Sequence, residues 1–216
     1  KGSIISTVDL PTTEIIEPKN ITLKASDKSK IYDGTELKSS GLSDLISDYS
    51  NYLKSGDKLD TIVYDGGQVN AGISGTTPKQ ARIVDEAGKD HTDYYKVTYV
   101  DGTLTVSPLK VTVTIDGDKI EKIYNAIPET ITYKISNISN SLYKESDIVF
   151  NGSDSDKVIT QKDAGTYNLS ISNRFSNENT NFDVNFEVSD GSLIIKPRKV
   201  TLTSASDTKA YDGQAL

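Results

Sequence analysis

The chain has 216 residues, a net charge of −7, a single histidine, and no cysteine, methionine or tryptophan. Without cysteine there is neither a disulfide framework nor a thiolate metal site, so each folded unit has to hold together by its own core and hydrogen bonds. The acidic balance lacks the clustered Lys and Arg that a phosphate backbone requires, and no apolar run is long enough to cross a bilayer, so neither nucleic acid nor membrane insertion is expected.

Residues 1–18 have neither the basic start nor the apolar centre of a secretory leader and read as the end of a preceding segment or linker. Within them, Leu10-Pro11-Thr12-Thr13-Glu14 shares letters with the L-P-x-T-G sorting signal but lacks its glycine, which makes it a coincidence. From Pro18 onward the chain repeats itself. Lys30-Ile31-Tyr32-Asp33-Gly34 returns as Lys122-Ile123-Tyr124-Asn125-Ala126 and again as Lys209-Ala210-Tyr211-Asp212-Gly213. Asp101-Gly102-Thr103-Leu104 returns as Asp190-Gly191-Ser192-Leu193. Pro108-Leu109-Lys110-Val111-Thr112-Val113 returns as Pro197-Arg198-Lys199-Val200-Thr201-Leu202, with Pro18-Lys19-Asn20-Ile21-Thr22-Leu23 as its earlier echo. Landmarks recurring at a spacing of about 90 residues mark an internal repeat. They divide the chain into repeat 1 over 19–109, a divergent repeat 2 over 110–198, and the first strands of a truncated third repeat over 199–216, so it reads as a piece of a longer protein.

Local patterns within the repeats predict a mainly β (α+β) fold. Leu42, Leu45, Ile46, Tyr49 and Leu53 recur at helical spacing, with Ser43 placed to cap and Gly56 to end one amphipathic helix. Asp101-Gly102 and Asp190-Gly191 lie between strand-like runs, where a two-residue loop needs positive φ, so each repeat is expected to end in a tight hairpin. Val111, Val113 and Ile115 alternate with polar neighbours, as do Phe182, Val184, Phe186 and Val188; these are half-buried strands. Ile131, Tyr133 and Ile135 are strand-like, and Ile138 to Tyr143 allow a short helical turn. Residues 200–216 supply at most two strands, which are marginal alone, so pairing with a sheet edge, with unit two or with a neighbouring molecule is expected to order them.

The order K-x-Y-D-G, a helical insert, Asn70-Ala71-Gly72 or Asp163-Ala164-Gly165, and then residues 94–108 (YYKVTYVDGTLTVSP) with an immediate restart resembles the YDG and MBG type repeats. These are β-grasp-like modules arrayed in bacterial surface proteins and adhesins. The resemblance implies tandem β-grasp-like repeats with a short helix packed on a small sheet, the alternative being Ig-like β-sandwich repeats. It also implies an extracellular place at the bacterial cell surface or cell wall and a spacer or adhesive role, with no catalytic residues. Asn125-Ala126 in place of Asp-Gly departs from the pattern and bears on the turn of repeat 2.

Candidate sites are few. The tyrosine of K-x-Y-D-G reads as a strand residue packing into the core ahead of an Asp-Gly turn, in preference to a ligand platform. Asp116-Gly117-Asp118 and Asn151-Gly152-Ser153-Asp154-Ser155-Asp156 place acidic oxygens in loops that calcium would accept, but neither matches a twelve-residue calcium loop, so solvated turns and no cofactor are expected. His91 lies in a polar run with no second His or Cys for a metal or catalytic triad, and is expected to face solvent. Lys, Asn and acidic residues supply the parts of an amide cross-link without a spacing that singles out a trio, and Asn20, Asn137, Asn151 and Asn168 fit a glycosylation sequon relevant only to a eukaryotic secretory route.

Two functions remain. In the first, a non-enzymatic semi-rigid stalk projects an adhesive domain, its units joined through Ser107-Pro108-Leu109-Lys110 and Lys196-Pro197-Arg198-Lys199 without a Gly-Ser tract. In the second, the repeats themselves bind host glycan, mucin or protein, supported by the tyrosines of repeat 1, among them Tyr49, Tyr52, Tyr64, Tyr94, Tyr95 and Tyr99. The partners expected are neighbouring repeats of the same chain and, in the second reading, a host glycan or protein.

Overall fold

A computed structural model describes residues 16–214, the side chain of Ser47 excepted. The Leu10–Glu14 stretch and most of the leading segment lie outside the described residues. The protein is mainly β and divides into two units, Lys1–Leu109 and Lys110–Leu216.

Unit 1 holds β1 (Lys19–Lys24), β2 (Lys28–Ile31), β3 (Lys58–Asp65), β4 (Gly72–Val84), β5 (Tyr95–Val100) and β6 (Gly102–Ser107). Its first two strands run parallel to its last two. β1 pairs with β5, setting Ile21 opposite Val97 and Leu23 opposite Tyr99, and β2 pairs with β6, setting Lys30 opposite Val106. The Tyr32 amide extends the second ladder by donating to the Ser107 carbonyl at 2.8 Å. β4 is long enough to serve two partners, running antiparallel to β6 from Gly72 to Thr76 and to β3 from Thr77 to Val84, which gives the order β2-β6-β4-β3. Alternation places Ile21, Leu23, Leu59, Ile83 and Tyr95 in one buried cluster, against which Tyr49, Leu53, Tyr64, Val97 and Tyr99 pack.

Asp101-Gly102 is not the hairpin the sequence predicts. β5 and β6 lie in different sheets, and Gly102 is not in the left-handed region. The chain instead turns a corner there and carries on into the second sheet, while β1 and β2 make the same bend beside it around Ala25 and Ser26. Glycine is needed for closeness and not for φ: a Cβ on Gly102 would lie 2.7 Å from the Ser26 carbonyl oxygen and 2.8 Å from that of Ala25. Asp27 Oδ1 accepts the Thr103 amide at 2.7 Å, and the Val100 carbonyl accepts the Ala25 amide at 3.0 Å, so the two bends are tied together.

Unit 2 holds β7 (Leu109–Gly117), β8 (Lys119–Ile123), β9 (Glu129–Ile131), β10 (Tyr133–Ile138), β11 (Ile148–Phe150), β12 (Ile159–Gln161), β13 (Gly165–Leu169), β14 (Phe175–Asn177), β15 (Phe182–Ser189) and β16 (Gly191–Lys196). It repeats the same plan. β16 lies between antiparallel β13 and parallel β8, as β6 lies between β4 and β2, and the Tyr124 amide donates to the Lys196 carbonyl at 2.8 Å. Gly191 sits at the corresponding corner, where its Cβ would come within 2.9 Å of the Asp118 carbonyl, the group that accepts the Ser192 amide. Asn70-Ala71-Gly72 and Asp163-Ala164-Gly165 are equivalent, since each leads into the strand antiparallel to the last one.

The predicted helix over residues 42–53 is two 3-10 segments, Leu42–Asp44 and Ser47–Tyr52. Between them Leu45 is extended and buried, forming a bridge to Ala25, with Ser26 N–H donating to Asp44 O and Ile46 N–H to Lys24 O. An α-helix through Leu45 would break these bonds, and the Ser-, Asp- and Asn-rich sequence of the segment does little to favour one. In unit 2 β10 occupies the corresponding place: Asp118 N–H donates to Thr132 O, and Tyr133–Ile138 run antiparallel to β7. Residues 140–143 form a turn, not a helix.

The turn after β8 keeps its form despite Asn-Ala. Asn125 Oδ1 accepts the Ile127 amide at 3.0 Å and Ala126 takes φ 64°, where Gly34 has φ 79° and Asp33 Oδ1 accepts the Thr35 amide at 2.9 Å. Residues 197–212 form no strand and lie exposed, so the expected ordering of this segment by pairing within the chain is not met. Val200 and Leu202, at the positions of Ile21 and Leu23, are 76% and 92% exposed.

Two substitutions test this geometry. Gly102→Ala should destabilise unit 1 by about 1–3 kcal/mol through backbone crowding and leave amide protection in β16 unchanged. Ala126→Gly should stabilise unit 2 by ~0.5–1 kcal/mol by relieving a left-handed alanine, as read in a denaturant titration.

Candidate functional site

The most built polar cluster of unit 1 surrounds His91, and its position corrects the expectation of a solvent-facing side chain. The bridge between Val84 and Asp90, together with the bond from His91 N–H to Ile83 O, folds the loop after β4 back so that the imidazole turns inward. The His91 side chain is 16% exposed; its Nδ1 lies 2.9 Å from Asp57 Oδ1, and its Nε2 lies 3.6 Å from Asp85 Oδ2. The Asp57 side chain is only 5% exposed. Tyr95, anchored by β5, donates its hydroxyl to Asp57 Oδ2 at 2.7 Å and accepts the Lys54 amide at 2.9 Å. Buried carboxylates persist where such donors satisfy them.

The electrostatics follow from these contacts. The Tyr95 hydroxyl, and after it His91, hold the Asp57 carboxyl below its ordinary range, while burial pushes the Tyr95 phenol up. Beside this network opens a cleft of about 500 Å³ lined by Lys19, Lys54, Asp57, His91 and Tyr94 among others. The Tyr94 ring lies 5.0 Å from the imidazole and is 58% exposed. An exposed ring beside an ammonium and an imidazole can offer stacking and hydrogen bonds to a polar ligand. Both Asp57 oxygens are engaged within the protein, which suits support of the cleft wall better than proton transfer.

The remaining candidates separate. Tyr95 belongs to the core and Tyr49, Tyr64 and Tyr99 pack against it, with Tyr64 donating to the Gly41 carbonyl and its phenol pushed up to about 12 chiefly by burial. Tyr52 is exposed, beside a cleft formed with Asn20, Thr22, Lys24 and Asp48. Tyr32 and Tyr124 are half-buried directly after β2 and β8, so the expected burial in the core holds only in part. Asp33 is held below the carboxylate range, first by the Lys30 ammonium at 2.6 Å, which makes it a turn-former.

The acidic stretches are engaged structurally. Asp116 and Gly117 lie within β7, not in a loop, with Asp116 accepting from the Ser189 hydroxyl at 3.1 Å and Asp118 from the Thr132 amide at 2.8 Å. Asp156 accepts the Ser153 amide and faces Arg174 at 3.2 Å, while Asp154 pairs with Lys157 at 2.8 Å. Among the described residues no three His, Cys, Asp or Glu side chains group as a metal site. Lys28, Lys30, Lys122 and Lys196 form ion pairs with Asp44, Asp33, Glu129 and Glu121 at partly exposed positions.

Sequence reasoning missed an aromatic group in unit 2. Tyr133, Phe150, Phe175 and Phe186 are half-buried, with Tyr133 and Phe175 at 5.3 Å, Phe150 and Phe175 at 5.3 Å, and Lys157 over the Phe150 ring at 5.4 Å. Short strands β11 and β14 bring the rings together; the signal was only that Phe150 and Phe175 each stand in a run too short to show a period. Edge-to-face contacts make this a satellite core.

Tyr95→Phe should lower the stability of unit 1 by about 2 kcal/mol at neutral pH, the scale of a hydrogen bond to a charged group. A depressed carboxyl contributes stability above its unfolded pKa and loses it as pH falls through the folded value. The gap between wild type and Tyr95→Phe should therefore close on acidification below the ordinary carboxylate range, as measured by denaturant titrations across pH.

Comparison with protein-family models, curated proteins and solved structures returns no match for this chain.

Proposed function

We propose that this chain is a non-catalytic structural part of an extracellular bacterial surface or wall protein, in which tandem β-grasp-like units act as a semi-rigid spacer projecting an adhesive domain. The observation that carries the reading is one strand plan built twice in succession with a single residue between strands: β6 ends at Ser107 and β7 begins at Leu109. Pro108 between them fixes φ and leaves little freedom at the junction. The β-grasp-like assignment is supported by the parallel pairing of first and last strands in each unit, with 3-10 turns where such modules carry a helix. The likeness of the K-x-Y-D-G and D-G-x-L phrases to YDG and MBG repeats supports the location. The second reading, in which the units themselves bind host glycan, mucin or protein, is favoured by exposed Tyr52 and Tyr94, each at a cleft of unit 1.

Amide ¹⁵N relaxation on the whole chain tests the spacer. Both units should report one rotational diffusion tensor; two independent tensors would set the reading aside. Binding of the chain to mucin or a glycan panel, lost in a folded Tyr52→Ala/Tyr94→Ala variant, would favour the second reading.

A further inference from the structure

The two units treat the outer edge of their first strand differently. In unit 2 the edge of β7 is covered by β10, which runs antiparallel to it with Asn137 opposite Thr114 and Ile138 opposite Val113. The cover reaches Thr112, whose carbonyl accepts the Ser139 amide at 3.0 Å and whose amide donates to Ser139 Oγ at 2.9 Å. Unit 1 starts alike and then departs. Leu45 bridges to Ala25 and the Ile46 amide donates to the Lys24 carbonyl at 2.9 Å, but Ser47–Tyr52 coil into a 3-10 segment and leave the edge.

Thr22 of β1 stands where Thr112 stands in β7. Along a parallel ladder, successive residues of a strand alternate in the side to which they offer both backbone groups. The Ala25 amide points to β5, where it meets the Val100 carbonyl, and the Lys24 carbonyl points away from β5 to Ile46. Thr22 and Asn20 alternate in step with Lys24, so their amides and carbonyls face the outer edge, and no group among the described residues takes the place of Ser139 there. That edge is one wall of the cleft of about 350 Å³ lined by Asn20, Thr22, Lys24, Asp48 and Tyr52. The 3-10 segment supplies the other wall, with Asp48 and the 54% exposed Tyr52. An exposed strand edge beside a ring is a setting in which a sheet adds a strand from another chain.

We propose that this cleft binds an extended peptide as an added strand, antiparallel to β1, as the end of β10 lies on β7. One peptide residue exchanges both backbone bonds with Thr22, and the residue two further on does so with Asn20. Their side chains stand on the outer face beside Thr22 and Asn20, where Ser or Thr forms cross-strand hydrogen bonds as Ser139 does with Thr112. The residue between them lies opposite Ile21 and faces the core against which Tyr49 and Leu53 already pack, so it has to be small. The partner is therefore an extended peptide with Ser or Thr at alternate positions and small residues between. This is independent of the spacer role, and it narrows the second reading, on which it rests, to a protein ligand at one cleft.

The test is a titration of the ¹⁵N-labelled full chain with the capped peptide Thr-Ala-Thr-Ala-Thr. Saturable shifts are expected at the Asn20 and Thr22 amides, with peptide cross-peaks in antiparallel order, while the Thr112 amide, already covered, stays unchanged. N-methylation of the peptide's threonines removes the donors that face β1 and should weaken binding about tenfold or more; N-methylation of its alanines, which face away, should not. Absence of shifts at Asn20 and Thr22 in millimolar peptide, equal loss with either methylated peptide, or shifts at these amides with lactose and not with peptide would each overturn the proposal. The second reading would then stand or fall on mucin and glycan binding alone.

Discussion

The structure depends on one contact repeated in both units: the parallel run of a first ribbon along a last ribbon, bent together at a glycine. In unit 1 it buries Ile21 and Leu23 against Val97 and Tyr99 on one side of the bend and pairs Lys30 with Val106 on the other. The bend brings backbone so close that Gly102 and Gly191 have no room for a side chain. Chain start and chain end of each unit are thereby fixed side by side, and residues far apart in sequence become neighbours. That is a costly closure in chain entropy, offset by the apolar faces both ribbons bury.

Around this contact the two units vary freely. The place beside the first strand is filled by a single bridge at Leu45 in unit 1 and by a strand, β10, in unit 2. Unit 1 adds a long β3–β4 pair and the Asp57–His91–Tyr95 network, while unit 2 adds two short strand pairs and the satellite of aromatic rings. The Asn125-Ala126 turn shows how far the sequence can drift while the side-chain oxygen still caps the following amide. A spacer needs conserved ends and tolerates such variable flanks. The same flanks are where binding would arise in an adhesive module.

The period-two strands were legible because half-buried strands write alternation into sequence, and the repeat was legible because three phrases recur in order. The corner at Asp101-Gly102 was not, because an Asp-Gly pair between two apolar runs reads alike whether the chain reverses or crosses into another sheet. Only the parallel neighbour decides, and it lies far upstream in β1 and β2. Residues 42–53 carry helical spacing, yet Leu45 is claimed by a bridge to Ala25 that local propensity cannot foresee. His91 stands in a polar run that suggests solvent, and becomes half-enclosed because Asp57 and Tyr95, distant in sequence, converge on it. Four of the tyrosines of unit 1 that had suggested a platform serve its core.

Backbone nuclear Overhauser contacts on the full chain test the central claim most directly. The parallel account expects cross-strand contacts between Leu23 and Tyr99, between Lys30 and Val106, and between Lys122 and Ile195. An antiparallel ladder closing across Asp101-Gly102, with Val100 facing Thr103 and no contact from Leu23 to Tyr99, would contradict it.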